Sequence, residues 1–277
     1  MIDIGANLAD AAFAGDLEAV LRRARAAGIE RILVTGTSLE QSRRALELAR
    51  THAGLLVATA GVHPHVASAW DGATLDALRR LLREPEVVAV GETGFDLFRE
   101  LSPRDAQLRA CEAQLELAAE CGKPVFLHDR QGFAALQPLL ARWRPRLRGG
   151  VVHCFTGTRD ELHAYLALDL HIGITGWLCD ERRGTALAAL VHEIPGDRLL
   201  IETDAPYLLP RTLRDRPKTR RNEPQWLGEV CAVLARCRGE SAAELARRTR
   251  DNAVALFGLG ADPARGGAHR DALNPPA

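Results

Sequence analysis

Five short clusters in the sequence carry side chains able to hold a metal ion or move a proton: His63-Pro64-His65, Gly91-Glu92-Thr93-Gly94, His128-Asp129-Arg130, His153-Cys154-Phe155-Thr156-Gly157 and Glu202-Thr203-Asp204. Two further clusters, Thr35-Gly36-Thr37 and Gly173–Trp177, are polar or glycine-rich in the same way. Imidazoles combined with carboxylates point to a divalent-cation centre, not to a Ser/His/Asp triad. Glu92, His128, His153 and Asp204 are the expected ligands. A single histidine at such a place is usually a hydrogen-bonded structural residue. Several at equivalent places, with acids at others, reverse that expectation.

They must be brought together by the elements that precede them. Short apolar runs occupy Ile2–Ile4, Ile32–Thr35, Leu55–Gly61, Val87–Gly91, Val125–His128, Val151–His153, Ile172–Thr175 and Leu199–Glu202. Between them, segments such as Asp16–Ala27, Leu39–Arg50, Thr74–Arg83 and Pro103–Glu120 place apolar residues at helical spacing. Continuously apolar strands separated by helices predict a parallel sheet buried on both faces. Eight such units fit a (β/α)8 TIM barrel in one domain better than an open doubly wound sheet. In a barrel every strand C-terminus opens on one mouth, so the clusters meet there. The domain is expected to span 1–258, with a loose tail over 259–277.

Composition narrows the function further. Lys+Arg and Asp+Glu number 36 each among 277 residues, so no global basic field draws in nucleic acid. Six cysteines without a C-x-x-C pair read as reduced thiols. The N-terminal stretch has no basic and apolar leader, and no apolar run is long enough to span a bilayer, so a cytoplasmic protein is expected. A monomer without a membrane or an obligate protein partner is the matching expectation.

Asp3-Ile4-Gly5-Ala6-Asn7-Leu8, Ala60–His65, Gly91–Gly94, His153–Gly157 and Leu200–Leu208 together resemble the TatD family, in order and each at an expected strand end. The resemblance runs to about Gly258. Ile172–Trp177, Cys179–Arg183 and Arg220-Arg221-Asn222-Glu223-Pro224 are similar to the TatD-type branch of that family. The resemblance implies a metal-dependent hydrolase barrel and a magnesium-dependent deoxyribonuclease. It also implies 3′→5′ exonuclease action on single-stranded DNA and RNA ends, in DNA repair or degradation. Most of the family carries a His-x-His pair on its first strand, where this chain has Gly5 and Asn7. The expected centre is therefore reduced to about one tightly bound ion, Mg2+ by resemblance. Mn2+ is also accepted, since imidazoles favour softer cations.

For phosphodiester hydrolysis, Asp204 is assigned as ligand or general base, with Glu202 on the same strand face as its supporting carboxylate. A structural salt bridge for Glu202 is the equal alternative. His63 is expected to protonate the leaving oxygen or touch the scissile phosphate, while His65 either contacts substrate or caps the following segment. Arg130 is a candidate phosphate clamp. The arginine-rich Arg211–Arg221 loop, through Arg220 and Arg221, should reach over the mouth to the backbone of the strand. Arg142–Arg148 precedes the sixth strand and belongs to the barrel bottom. Trp177 or Phe155 could stack a base, although buried packing is the stronger expectation for both. The competing functions are a small-molecule amidohydrolase or lactonase on the same barrel, and a nucleic-acid binder without turnover. Arginines beside the site weigh against the first, and the intact set Glu92, His128, His153 and Asp204 against the second.

Overall fold

The computed structural model describes residues 1–260. From residue 261 on, the expected tail lies outside the described residues. Eight parallel strands run in the order β1 (Ile2–Ala6), β2 (Arg31–Val34), β3 (Leu56–Ala60), β4 (Val87–Asp96), β5 (Val125–Arg130), β6 (Gly150–Val152), β7 (His171–Ile174) and β8 (Leu199–Ile201), each paired with the next. A parallel bridge between Ala6 and Ala205 brings the ends of the sheet together. The TIM barrel expected from the alternating runs is the architecture observed. Around it lie α1 (Leu17–Ala26), α2 (Leu39–Thr51), α3 (Gly72–Leu81), α4 (Arg104–Cys121), α5 (Phe133–Trp143), α6 (Arg159–Ala167), α7 (Thr185–Leu190), α8 (Leu227–Arg238) and α9 (Ala242–Phe257). None of the described helices is long and apolar enough to cross a membrane.

The strands are buried on both faces, which is why they read as continuous apolar runs. Alternate residues divide between two cores. Ile2, Ile4, Leu33, Phe126, Val151 and Leu200 pack inside the barrel with Ala253, Leu256 and Phe257 of α9. Ile32, Val34, Val125, Leu127, Val152 and Ile201 face the helices. Polar side chains fix the helix starts, as where Ser38 accepts from Gln41 N–H and Thr158 forms a capping box with Glu161.

One strand departs from the sequence expectation. β4 does not stop at Gly91 but continues to Asp96, and its register against β5 shifts between Val90 and Thr93. Gly91 and Gly94 have φ of 138° and 144°, open only to glycine, and a Cβ at Gly94 would strike the His128 carbonyl. Glu92 thus sits in a bulge inside a long strand, and the strand end belongs to Asp96.

Asp3 joins the first strand to the last. It is fully buried, and its carboxyl accepts from Gly5 N–H at 3.3 Å, Thr203 N–H at 2.9 Å and the Thr203 hydroxyl at 2.6 Å. Burial pushes its pKa up from the ordinary 3.8 to about 7, against the opposing pull of those hydrogen bonds. A carboxyl raised in this way contributes stability that is complete below its unfolded pKa and lost as pH rises through the folded one. Asparagine copies the protonated form, with Oδ1 accepting and Nδ2 facing the Thr203 hydroxyl. Asp3→Asn is therefore expected to gain on the wild type as pH rises from about 4 to about 7, so that its advantage in melting temperature is larger at about pH 8 than at about pH 5. Parallel thermal melts at the two pH values check this.

Candidate metal centre

The interior of the barrel changes from apolar to polar at Phe126, whose ring stacks on His153 with centroids 4.9 Å apart. Above it, three imidazoles converge on one buried oxygen. Glu92 Oε1 lies 2.7 Å from His128 Nδ1, 2.9 Å from His153 Nε2 and 3.4 Å from His63 Nε2. Burial alone would raise the Glu92 pKa, but His153, His63 and the His128 hydrogen bond hold it well below the usual carboxylate range. Burial likewise opposes protonation of His153, yet Glu92 and Glu202 drive its pKa well up. His128 is raised despite burial by Asp96 and Glu92.

Three ring nitrogens facing one oxygen would each need a proton to bond it. A divalent cation replaces those protons, and the donor set suits one. The partners on the far side of each ring decide which nitrogens are free for it. His153 Nδ1 faces Glu202 Oε2 at 3.3 Å, so the proton belongs there and Nε2 keeps its lone pair. His128 Nε2 is buried without a hydrogen-bond partner, with Asp96 Oδ2 nearest it at 3.5 Å, which leaves Nδ1 to face the cation. His63 differs. Its Nδ1 accepts from His65 N–H at 3.0 Å, so the neutral ring carries its proton on Nε2 and points a donor into the cavity. His63, Glu92 and His128 do bring ligand atoms within 4.8 Å of one another, but this tautomer makes His63 a donor, so Glu92, His128 and His153 are the candidate ligands. Burial lowers the His63 pKa to about 4 and keeps the ring neutral.

Asp204 lines the same cavity, which has a volume of about 670 Å3. Its Oδ1 accepts from Asn7 Nδ2 at 3.0 Å, and burial raises its pKa to about 7, with Glu92 and Glu202 adding to the shift and His153 opposing it. Glu202 supports His153 rather than Asp204. Fully buried, it accepts from Cys154 N–H at 2.6 Å and faces His153 Nδ1. A Cβ at Gly5 or Gly173 would meet the Glu202 carboxylate, so both glycines make room for it. The position that carries histidine in most of the family thus faces a space filled by this carboxylate.

The remaining expected residues divide. His65 lines the cavity and pairs with Asp96 Oδ2 at 2.6 Å, and Arg130 also lines it. Arg220 and Arg221 do not. Arg221 turns away onto Asp16 and Glu223, at 2.7 and 2.9 Å, and Arg220 is exposed without an ion pair among the described residues. Arg211 is held by Glu181 at 2.7 Å. Two of the loop's six cationic side chains, Arg211 and Arg221, are thus neutralised within the protein, the second by Asp16, 205 residues away in sequence. The arginines on the cavity wall are Arg99, Arg130 and Arg183. Phe155 is buried against Tyr165, whereas Trp177 lines the cavity. Asp96 was not anticipated, because β4 reads as ending five residues earlier. Asn7 was anticipated only as a lost ligand, not as the partner of Asp204.

Imidazoles and carboxylates converging at the C-terminal mouth of a parallel barrel define a hydrolase built to work with a divalent cation. The chain belongs to the family of TatD-related DNases, whose family model matches residues 2–258. A relative from Pantoea vagans (strain C9-1), named 3'-5' ssDNA/RNA exonuclease TatD, is 54% identical over 259 residues, covering 94% of this chain and 100% of the relative. One of the same name from Edwardsiella piscicida is 53% identical over 259 residues, with the same coverage. The crystal structure of YJJV, a TatD homologue from Escherichia coli K12, superposes with a TM-score of 0.85 at 33% identity, covering 94% of this chain and 98% of that one.

The tautomers separate the three histidines experimentally. His153→Ala is expected to lose the bound cation and His63→Ala to keep it. Glu202→Gln should weaken metal affinity by roughly ten- to a hundredfold, with the rate recovering at saturating metal, as for other partners that orient a ligand. Metal analysis of the purified variants by mass spectrometry, with a metal titration of activity, checks all three.

Proposed function

We propose that this protein is a metal-dependent exonuclease that removes nucleotides from the 3′ ends of single-stranded DNA and RNA, in DNA repair or degradation. The observation that carries the reading is the convergence of His128 and His153 on Glu92 Oε1 in a cavity walled by Arg99, Arg130 and Arg183. Arg183 is paired with Asp180, but Arg99 and Arg130 have no acid partner among the described residues, and a small neutral substrate has no use for such guanidiniums beside a cation centre, which weighs against the amidohydrolase alternative. Strand polarity and substrate class rest on the relatives that are more than half identical over nearly the whole chain.

Glu92, His128 and His153 would hold the divalent cation, Mg2+ or Mn2+, with Asp204 beside them. Such a cation supplies Lewis acidity to the phosphoryl group and lowers the pKa of water. The chain's own groups do the rest. Asp204, with a pKa pushed to about 7 and one oxygen steadied by Asn7, is suited to accept a proton near neutral pH. His63 Nε2–H, fixed by the backbone bond to Nδ1, donates toward a phosphoryl or leaving oxygen without carrying a net charge. Arg130 supplies a planar fork for a non-bridging phosphate edge.

The test uses single- and double-stranded oligonucleotides labelled at the 5′ end and incubated with EDTA, Mg2+ or Mn2+. Stepwise shortening of the single strand with either metal, and none in EDTA, is expected. Full-length strands in every lane, or release of the labelled 5′ nucleotide first, would refute the reading.

A further inference from the structure

Among the described residues the exposed large apolar side chains are Val66, Phe98, Leu101, Leu108 and Tyr207. Scattered singly they would mean little. Here Val66 follows β3, Phe98 and Leu101 follow β4, Leu108 lies in the second turn of α4, and Tyr207 follows β8. All therefore stand on the mouth side of the barrel, and Val66 and Tyr207 line the cavity that holds the candidate metal centre. Exposed apolar side chains on the side of the barrel where a ligand would enter are candidates for contact with it.

Phe98 is the most informative of them. It is 57% exposed, yet its loop is fixed. Asp96 Oδ1 accepts from Phe98 N–H at 3.1 Å and Arg99 N–H at 2.8 Å, while Leu97 N–H donates to the Arg130 carbonyl at 2.9 Å. The other Asp96 oxygen holds His65, so one buried carboxylate positions both the rim and a residue of the cavity wall. The Arg130 guanidinium lies over the Phe98 ring at 4.8 Å and over the Trp177 ring at 5.2 Å, and Arg183 covers Trp177 at 4.2 Å. Arg130 makes no side-chain hydrogen bond or ion pair among the described residues. Its faces are engaged with aromatic rings, and its N–H edge has no acceptor from the protein. A pre-set guanidinium fork is suited to a phosphate, and an exposed ring beside it is suited to the base attached to that phosphate.

We infer that Phe98 is a stacking shelf for one unpaired nucleobase of the bound strand, with Arg130 beneath it taking the adjoining phosphate. The inference rests on the single-strand nuclease reading and adds the path of the strand, which crosses the mouth on its β4–β5 side. A base stacked on Phe98 must leave its neighbours in the strand, which a paired base does only at the cost of unpairing. The shelf thereby favours single strands over duplex, through a residue remote from the reacting atoms.

Binding without turnover tests this. The anisotropy of a 5′-labelled single-stranded oligonucleotide is titrated with full-length protein in EDTA. Wild type, Phe98→Ala and Phe98→Trp are compared, each against a set of strands with one base removed at successive positions from the 3′ end. Phe98→Ala should weaken binding by about tenfold. Phe98→Trp should restore it. In the wild type one abasic position should reproduce the loss, and the same position should have little further effect in Phe98→Ala. Thermal melts of the variants should match the wild type, since the ring is exposed. Binding of Phe98→Ala within about twofold of wild type, failure of Phe98→Trp to restore it, abasic losses that add in full to the Phe98→Ala loss, or a wild type that does not bind the strand would each overturn the inference. Turnover of the wild type with Mg2+ is read separately. A protein that stacks a base on Phe98 but never shortens the strand would keep the shelf and remove the exonuclease reading.

Discussion

The site depends on a single carboxylate oxygen placed where the barrel interior turns from apolar to polar. Glu92 Oε1 is buried, ionised and faced by three imidazoles, two of which are held by a hydrogen bond on their far side. Glu202 holds His153, the His65 backbone N–H holds His63, and Asp96 stands behind His128. A buried carboxylate is costly unless it is matched by positive charge and hydrogen bonds. Imidazoles alone meet that need only by carrying protons. A divalent cation meets it in one step, so the arrangement that is costly as a structural feature is economical as a metal centre.

Much of the surrounding backbone serves this oxygen. The bulge in β4, possible because Gly91 and Gly94 adopt φ values closed to other residues, places Glu92 in the barrel while letting the strand run on to Asp96. The carboxylate of Glu202 fits because Gly5 and Gly173 have no side chains to meet it. Position 5 therefore explains itself. A histidine there would have to displace the group that orients His153, so the departure from the His-x-His pattern and the burial of Glu202 are two sides of one packing solution. Asn7, the other departure, keeps a polar contact with Asp204.

The elements were largely legible in the sequence because strands buried on both faces leave continuous apolar runs, and the strand-end clusters place Glu92, His128, His153 and Asp204 at one mouth. What was not legible depended on register or on distant pairing. The glycines flanking Glu92 look like a strand end when they are in fact a bulge, which hid Asp96 and, with it, the anchor of the Phe98 loop. The arginines of the 211–221 loop look free in sequence, but Asp16, Glu181 and Glu223 neutralise two of them, and neither the pairing nor its effect on the mouth can be read from local composition. Glu202 next to Asp204 suggests mutual support, whereas the fold sends its carboxylate to His153. The tautomer of His63 follows from one backbone hydrogen bond made only once His63-Pro64-His65 has turned.

The claim that most of this rests on is that the cation sits on Glu92, His128 and His153 while His63 stays outside as a donor. Anomalous scattering from crystals soaked in Mn2+ tests it directly. One peak bonded to Glu92 Oε1, His128 Nδ1 and His153 Nε2, with His63 Nε2 beyond bonding distance, is the expected result. A peak bonded to His63 Nε2, or the absence of any peak at Glu92, would contradict the account.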